Sequence, residues 1–176
     1  MHRLLRPVIA GAVIFVLQGC ASLQHDGLHD QLAALPLRVE HVEVPFYAQE
    51  NYHCGPAALA MAFAHSGMLV STEELGRDVF IPGREGSLQI EMLAAPRRHG
   101  LIPVLLKPQL RDLLIEVAAG QPVVVLQNRA LDWYPLWHYA VVIGYDLDRD
   151  VVIIRSGTEQ RLEISIKTFE RTWRRS

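Results

Sequence analysis

The spacing of apolar residues changes period along the chain. Residues 37–44 alternate apolar and polar side chains, the period-2 pattern of a half-buried strand. Cys54-Gly55-Pro56 then opens a nearly unbroken apolar run from Ala57 to His65, closed by Gly67. Proline just inside a helix start and glycine just past its end follow the asymmetry of helix termini, so this run is predicted to be helical. Ser71-Thr72-Glu73-Glu74 has capping-box spacing and predicts a second helix from Thr72. Residues 81–86 hold a proline and two glycines and read as a loop. A third helix is expected after Ser87, disturbed at Pro96 and ended by Gly100. Residues 101–106 read as a short apolar strand, and 109–119 as an amphipathic helix stopped by Gly120. Three Val- and Ile-rich runs follow as strands, at 122–127, 138–145 and 151–155, with a turn at 146–150, and 161–166 reads as a further strand. Residues 168–174 suit a short final helix.

Helices therefore come first and strands afterwards. Segregated elements predict an α+β domain, with N-terminal helices packed on a C-terminal antiparallel sheet, and not a doubly wound parallel sheet.

The first 36 residues break this pattern. Met1-His2-Arg3-Leu4-Leu5-Arg6 is followed by an apolar stretch from Pro7 to Leu17 and then by Gln18-Gly19-Cys20. Two arginines before a short apolar stretch are the n- and h-regions of an export signal. A spanning helix needs roughly 20 apolar residues, so the stretch is short for one. Leu17-Gln18-Gly19-Cys20 resembles the lipobox of bacterial lipoproteins, which implies that residues 1–20 are a signal peptide and that Cys20 carries lipid. Gln18 stands where a small residue is usual, and a plain N-terminal anchor helix is the alternative. Ala21, with no Asp after Cys20, favours the outer membrane under the sorting rules of that class. The expected location is the cell envelope, lipid-anchored and facing the periplasm. Residues 21–36 are polar and mixed and read as a tether; the domain is placed at 37–176.

Composition adds mostly exclusions. At 176 residues and 50% hydrophobic, the chain supports one core. The net charge of -2 supplies no basic field for nucleic acid. The eight histidines show no metal-ligand spacing, so neither a metal nor another cofactor is called for.

The chain has two cysteines. If Cys20 carries lipid, Cys54 has no disulfide partner, and a lone thiol in an oxidising compartment needs a reason. It is either a small buried hydrophobe or a nucleophile. Its position suits the second role, because unpaired backbone N–H groups at a helix start favour the thiolate. Gly55 is expected to let a substrate backbone approach. His138, at the mouth of an otherwise apolar strand, can take the thiol proton, or it can simply cap the strand end. Gln49, five residues before Cys54, can place an amide beside the Cys54 N–H as an oxyanion hole.

Taken together, Gln49-(four residues)-Cys54-Gly55-Pro56-Ala57 and His138-Tyr139-Ala140-Val141-Val142-Ile143-Gly144-Tyr145 resemble the bacteriocin-processing (double-glycine) cysteine peptidases over about residues 42–166. The resemblance implies a papain-like fold and hydrolysis of peptide bonds, with Gln49 as oxyanion residue, Cys54 as nucleophile and His138 as base. That family places an acid, in an Asp-Pro pair, on the strand after the His strand. Here the stretch reads Ile154-Arg155-Ser156-Gly157, so Ser156 falls where the acid belongs. Either Ser156 or Asp146, from the strand end, is left to orient His138. The best-known relatives are fused to export transporters and cut leader peptides; no transporter is present here.

Asp132-Trp133-Tyr134-Pro135-Leu136-Trp137 precedes His138. Trp133 and Trp137 either wall a peptide cleft or pack the loop onto the core. The expected partners are thus a peptide or protein substrate in the envelope and a membrane, reached through the lipid anchor. A non-catalytic peptide- or partner-binding lipoprotein with a degenerate peptidase fold is the main alternative, and a peptidoglycan amidase a more distant one.

Overall fold

The computed structural model describes residues 32–48 and 53–174. The expectations for residues 1–20, for Cys20, for most of the tether and for Gln49 lie outside these residues. The chain divides into two compact units, 1–35 and 36–176, and the second carries everything that follows.

Strand β1 (Arg38–Glu40) leads to helix α1 (Cys54–His65) and helix α2 (Thr72–Val79). Two short strands, β2 (Phe80–Ile81) and β3 (Gly86–Ser87), flank a single 3-10 turn at Pro82–Arg84. Helices α3 (Gln89–Arg98) and α4 (Leu110–Ala118) follow, then strands β4 (Val123–Asn128), β5 (Trp137–Asp146), β6 (Val151–Ser156) and β7 (Glu159–Ser165), and helix α5 (Ile166–Trp173).

Local chemistry explains the boundaries. Helix α1 begins at Cys54 and is buried at every position from Gly55 to Met61, as its all-round apolar sequence requires. Ser71 caps α2, its Oγ accepting from the Glu74 N–H at 3.1 Å. Ser165 caps α5 in the same way through the Thr168 N–H. Pro96 sits inside α3, two residues before its end, where the helix is already finishing.

The main sheet is antiparallel and centred on β5. On one side, β5 pairs with β4 along its first half (Asn128 opposite Trp137, Gln127 opposite His138) and with β1 along its second (Arg38 opposite Asp146). On the other side it pairs with β6, which pairs with β7. The predicted order of helices followed by an antiparallel sheet is present.

Helix α1 packs on β5, and the core between them includes Leu59, Phe63, Tyr139, Val141 and Ile143. The close fit has a local cause at Gly144, where a Cβ would lie 2.4 Å from the Val39 carbonyl oxygen, so only glycine lets β1 pass. Burying side chains of this size contributes about 1.5–3 kcal/mol each.

One predicted element is absent. Residues 101–106 form no strand, and Ile102 (90% exposed), Val104 and Leu105 stand in solvent. Their β-prone composition meets no pairing partner, and strand propensity acts only through such partners.

Candidate active site

Cys54 is the first residue of α1 and carries a free, half-buried thiol. No acidic residue lies in the first turn, so the positive end of the helix dipole is not offset there. The preceding His53 stacks on Phe80 with ring centroids 4.9 Å apart, which turns it away from acid–base work on the thiol. Pro56 fills the first helical turn without losing a hydrogen bond.

Gly55 answers to a different need from the one expected. It is buried, and a Cβ there would lie 2.5 Å from Ser87 Oγ and 2.7 Å from Ser87 Cβ. Glycine is required because β3 packs against the start of α1. This packing accounts for the glycine by itself and does not bear on substrate approach.

His138 is the second residue of β5 and is half-buried. Its Nε2 lies 2.9 Å from Ser156 Oγ, on the last residue of the neighbouring strand β6. Ser156 is itself buried. Burial, first, and the nearby Arg129 charge, second, lower the His138 pKa from 6.5 to about 4, so the imidazole is neutral at pH 7.

Asp146 is ruled out as the orienting residue. It lies eight residues along β5 from His138, or roughly 26 Å at the usual rise of an extended strand. Its Oδ1 accepts from the Arg149 N–H at 3.1 Å, which fixes the β5–β6 turn. Asp150 completes that turn in the left-handed region, at φ 54.

Cys54 and His138 make no direct contact; the link between them runs through the residue after His138. Tyr139, next to His138, shares a hydrophobic cluster with Cys54. Its phenol pKa is pushed up, first by burial and second by the negative charge Cys54 would carry. Three other described histidines have structural partners: His65 bonds the Gly120 carbonyl, His99 the Asp78 carboxylate and His41 the Val117 carbonyl.

The loop before His138 runs from Arg129 to Leu136. Asn128, fully buried at the end of β4, organises it: its Oδ1 accepts from the N–H groups of Ala130 (3.0 Å) and Leu136 (3.1 Å). Trp133 is 81% exposed and Trp137 48% exposed, so neither packs the loop onto the core.

Three buried polar residues were not picked out from the sequence, Gln127, Asn128 and Arg155, and Gln127 donates to Thr172 Oγ1 at 2.8 Å. Arg155 precedes Ser156 on β6. Its guanidinium donates to the carbonyls of Gln160 (2.6 Å), Val42 (3.2 Å) and Val44. It thereby ties the strand that ends in Ser156 to the segment leading towards Cys54. The only sequence signal was a charged residue inside an apolar run.

Among the described residues, no group of three or more His, Cys, Asp or Glu could hold a metal ion. No described helix is long and apolar enough to cross a membrane.

A cysteine at a buried helix start and a histidine at the mouth of an antiparallel strand define the papain-like class. The chain belongs to the Peptidase_C39-like family, whose model matches residues 41–176. Among solved structures it is similar to a C39-like peptidase from Bacillus anthracis, at 22% identity over 77% of this chain and 92% of that one, with a TM-score of 0.63. It is similar to a double-glycine motif protease from an AMS/PCAT transporter, solved with the leader peptide, at 25% identity over 76% of this chain and 88% of the other, with a TM-score of 0.60. The peptidase domain of Streptococcus ComA, a bifunctional ABC transporter, matches at 22% identity over 74% and 92% of the two chains, with a TM-score of 0.62. A comparison with curated proteins finds no match.

Proposed function

We propose that this chain is a lipid-anchored cysteine peptidase of the bacterial envelope that hydrolyses peptide bonds through Cys54, His138 and Gln49. The observation that carries the reading is the pairing of His138 with buried Ser156. If Nε2–H donates to Ser156 Oγ, the lone pair is left on Nδ1, and the ring is held in the tautomer a general base needs.

Burial and Arg129 disfavour the imidazolium, so His138 rests as the neutral imidazole. Nδ1 takes the Cys54 proton as Sγ attacks the substrate carbonyl carbon. The Cys54 N–H and the Gln49 side-chain amide stabilise the oxyanion. The imidazolium then protonates the leaving amine, and a water deprotonated by His138 releases the acyl group from sulfur. Exposed Trp137, next to His138, forms part of the wall beside the scissile bond, and Trp133 extends that wall outwards. A leader peptide is bound by a relative of the same family, which supports an extended peptide as substrate here.

Anchoring rests on the two arginines, the apolar stretch from Pro7 to Leu17, and Cys20. Labelled palmitate should enter the full chain and be lost in Cys20→Ser. The catalytic reading is tested by the pH dependence of Cys54 alkylation with iodoacetamide, in chains with Cys20 replaced, with and without His138→Ala. His138-dependent reactivity supports it. A rate matching an ordinary thiol of pKa about 8.5 and indifferent to His138 selects the second reading, a non-catalytic peptide-binding lipoprotein. That reading is favoured by one observation, the hydroxyl at Ser156 where the resemblance calls for an acid.

A further inference from the structure

Arg129 stands directly after β4, at the start of the loop that leads to His138. Its backbone N–H donates to the Leu136 carbonyl at 2.9 Å, so the ladder between β4 and β5 runs one pair beyond Asn128 and Trp137. Directly opposed residues share a face of a sheet, and so do residues two apart along a strand. Gln127 is opposite His138, so Arg129 continues the face that carries His138. The two are diagonal neighbours, a relation that sets residues roughly 7–8 Å apart and leaves a long side chain able to reach across.

The loop holds this cation in place. Buried Asn128 accepts from the N–H groups of Ala130 and Leu136, on either side of Arg129, and donates to the Leu131 carbonyl at 3.4 Å. Arg129 is exposed, and among the described residues no carboxylate lies within ion-pair distance of it. A surface arginine ordinarily needs only water; this one has the base as its neighbour. Its charge acts on His138 against the imidazolium. Ser156 and Gln127, which flank His138 from β6 and β4, carry no charge to offset it. In the free chain the cation therefore opposes transfer of the thiol proton, and an anion bound to it would remove that opposition.

We propose that Arg129 binds a substrate carboxylate on the leaving-amine side of the scissile bond, so that the preferred peptides carry an acidic side chain or a free C-terminus within a residue or two after the cleaved bond. The naming of the peptide as substrate rests on the peptidase reading. The side follows from His138, which has to reach the leaving nitrogen to protonate it and has Arg129 as its diagonal neighbour. The reach follows from chain geometry: an extended peptide advances roughly 3.3 Å per residue, so one or two residues cover the separation. A guanidinium meets a carboxylate with two parallel N–H···O bonds, which fixes orientation as well as charge. The bound carboxylate also brings beside His138 the negative charge that Ser156 lacks.

The test uses the full chain with Cys20→Ser, in which Cys54 is the remaining cysteine. It is alkylated at pH 7 and low salt by iodoacetate, which carries a carboxylate, and by iodoacetamide, which does not. The ratio of the two rate constants cancels the ionisation and accessibility of the thiol and reads the local charge. Arg129→Gln should lower the ratio about threefold or more, the weight of one unit charge at such a separation in a largely aqueous medium. Arg129→Glu should lower it further, and Arg129→Lys should keep most of it. Added salt should weaken the wild-type preference by screening.

Protection of Cys54 from iodoacetamide then identifies the source of the carboxylate. The probes are an acetylated hexa-alanine amide with a central glutamate, the same peptide with a central glutamine, and acetylated hexa-alanine with a free C-terminal carboxylate. At least one carboxylate peptide should protect better than the glutamine peptide, and the advantage should vanish in Arg129→Gln. Protection by the glutamate peptide alone assigns the site to an acidic side chain, and protection by the free carboxylate alone assigns it to a chain terminus.

A ratio unchanged in Arg129→Gln and Arg129→Glu, or carboxylate peptides that protect no better than the glutamine peptide, overturns the proposal. If alkylation still depends on His138 in that case, the peptidase reading survives without it. An Arg129-dependent preference in a chain whose alkylation ignores His138 would keep the carboxylate site and remove the peptidase reading.

Discussion

His138 Nε2 meets a hydroxyl, Ser156 Oγ, at 2.9 Å, on the last residue of the adjacent strand. A hydroxyl can hold the ring and select its tautomer, but it brings no negative charge to stabilise the imidazolium that forms once the thiol proton has moved. The low His138 pKa, about 4, records that lack: burial and Arg129 act with no carboxylate opposing them. Ser156→Asp should therefore raise the His138 pKa and increase turnover, while Ser156→Ala should slow it. The readout is the acid limb of kcat/KM against pH. Asp146→Asn should leave that limb in place, because Asp146 serves the β5–β6 turn. A shift in Asp146→Asn with none in Ser156→Asp would reverse the assignment.

Stability should depend on the same ring. The His138 pKa is depressed from 6.5 in the unfolded chain to about 4 in the folded one. The unfolded chain therefore binds a proton first as pH falls. The contribution from neutral His138 is complete above pH about 6.5 and is lost progressively down to pH about 4. Denaturant midpoints measured across that window should fall with acid. In His138→Gln the slope should be reduced, because Gln does not titrate. An unchanged slope would mean that the ring is more open to water than its contacts show.

The elements that were legible in the sequence are those whose cause is local. Pro56 and Gly67 bracket α1, Ser71 caps α2, and Val- and Ile-rich runs mark β4 to β6. Cys54 and His138 stand out because each interrupts an apolar run at its start. Ser156 was reachable only as the position where the resemblance expects an acid. The failures have a common cause in long-range geometry. Residues 101–106 have a strand's composition, but pairing depends on a partner edge that no local pattern reports. Asp146 looked close to His138 because both belong to one strand, yet an extended strand puts its ends far apart. Arg155 bonds carbonyls 111 and 113 residues away, and no spacing rule reaches that far.

Gly55 offers a test of packing at the nucleophile. Gly55→Ala puts a methyl 2.5 Å from Ser87 Oγ and 2.7 Å from Ser87 Cβ, so one backbone must move. The expected cost is about 1–3 kcal/mol, the usual range for overpacking. Ser87→Gly should recover most of it in the double variant, since the clash is with that side chain, although Met92 Sδ at 3.1 Å remains close. Thermal denaturation of the two single variants and the double one measures the coupling. A Gly55→Ala variant of wild-type stability and reduced substrate affinity would give Gly55 the substrate-binding role.

Arg155 gives the largest expected loss outside the chemistry. It is buried on β6, and its guanidinium satisfies three carbonyl oxygens from two separate segments. Arg155→Met keeps much of the apolar stem and removes all of these donors, leaving the Val42, Val44 and Gln160 carbonyls to find others. At about 1–3 kcal/mol for each buried group left unpaired, and with water able to reach some of them, a loss of roughly 3 kcal/mol is expected. Burying the cation has a desolvation cost, opposed by the charges of Glu40 and Glu43, which the substitution also removes, so the net can be no larger than the sum of the lost bonds. Arg155→Lys should recover part of the stability, because an ammonium can reach one or two of the three acceptors but cannot fork between them. Urea unfolding of the three chains orders them as wild type, Lys, Met. If Met proved the most stable, the segment from Val42 to Val44 would be held by packing alone, and the tie between Ser156's strand and the approach to Cys54 would carry no weight.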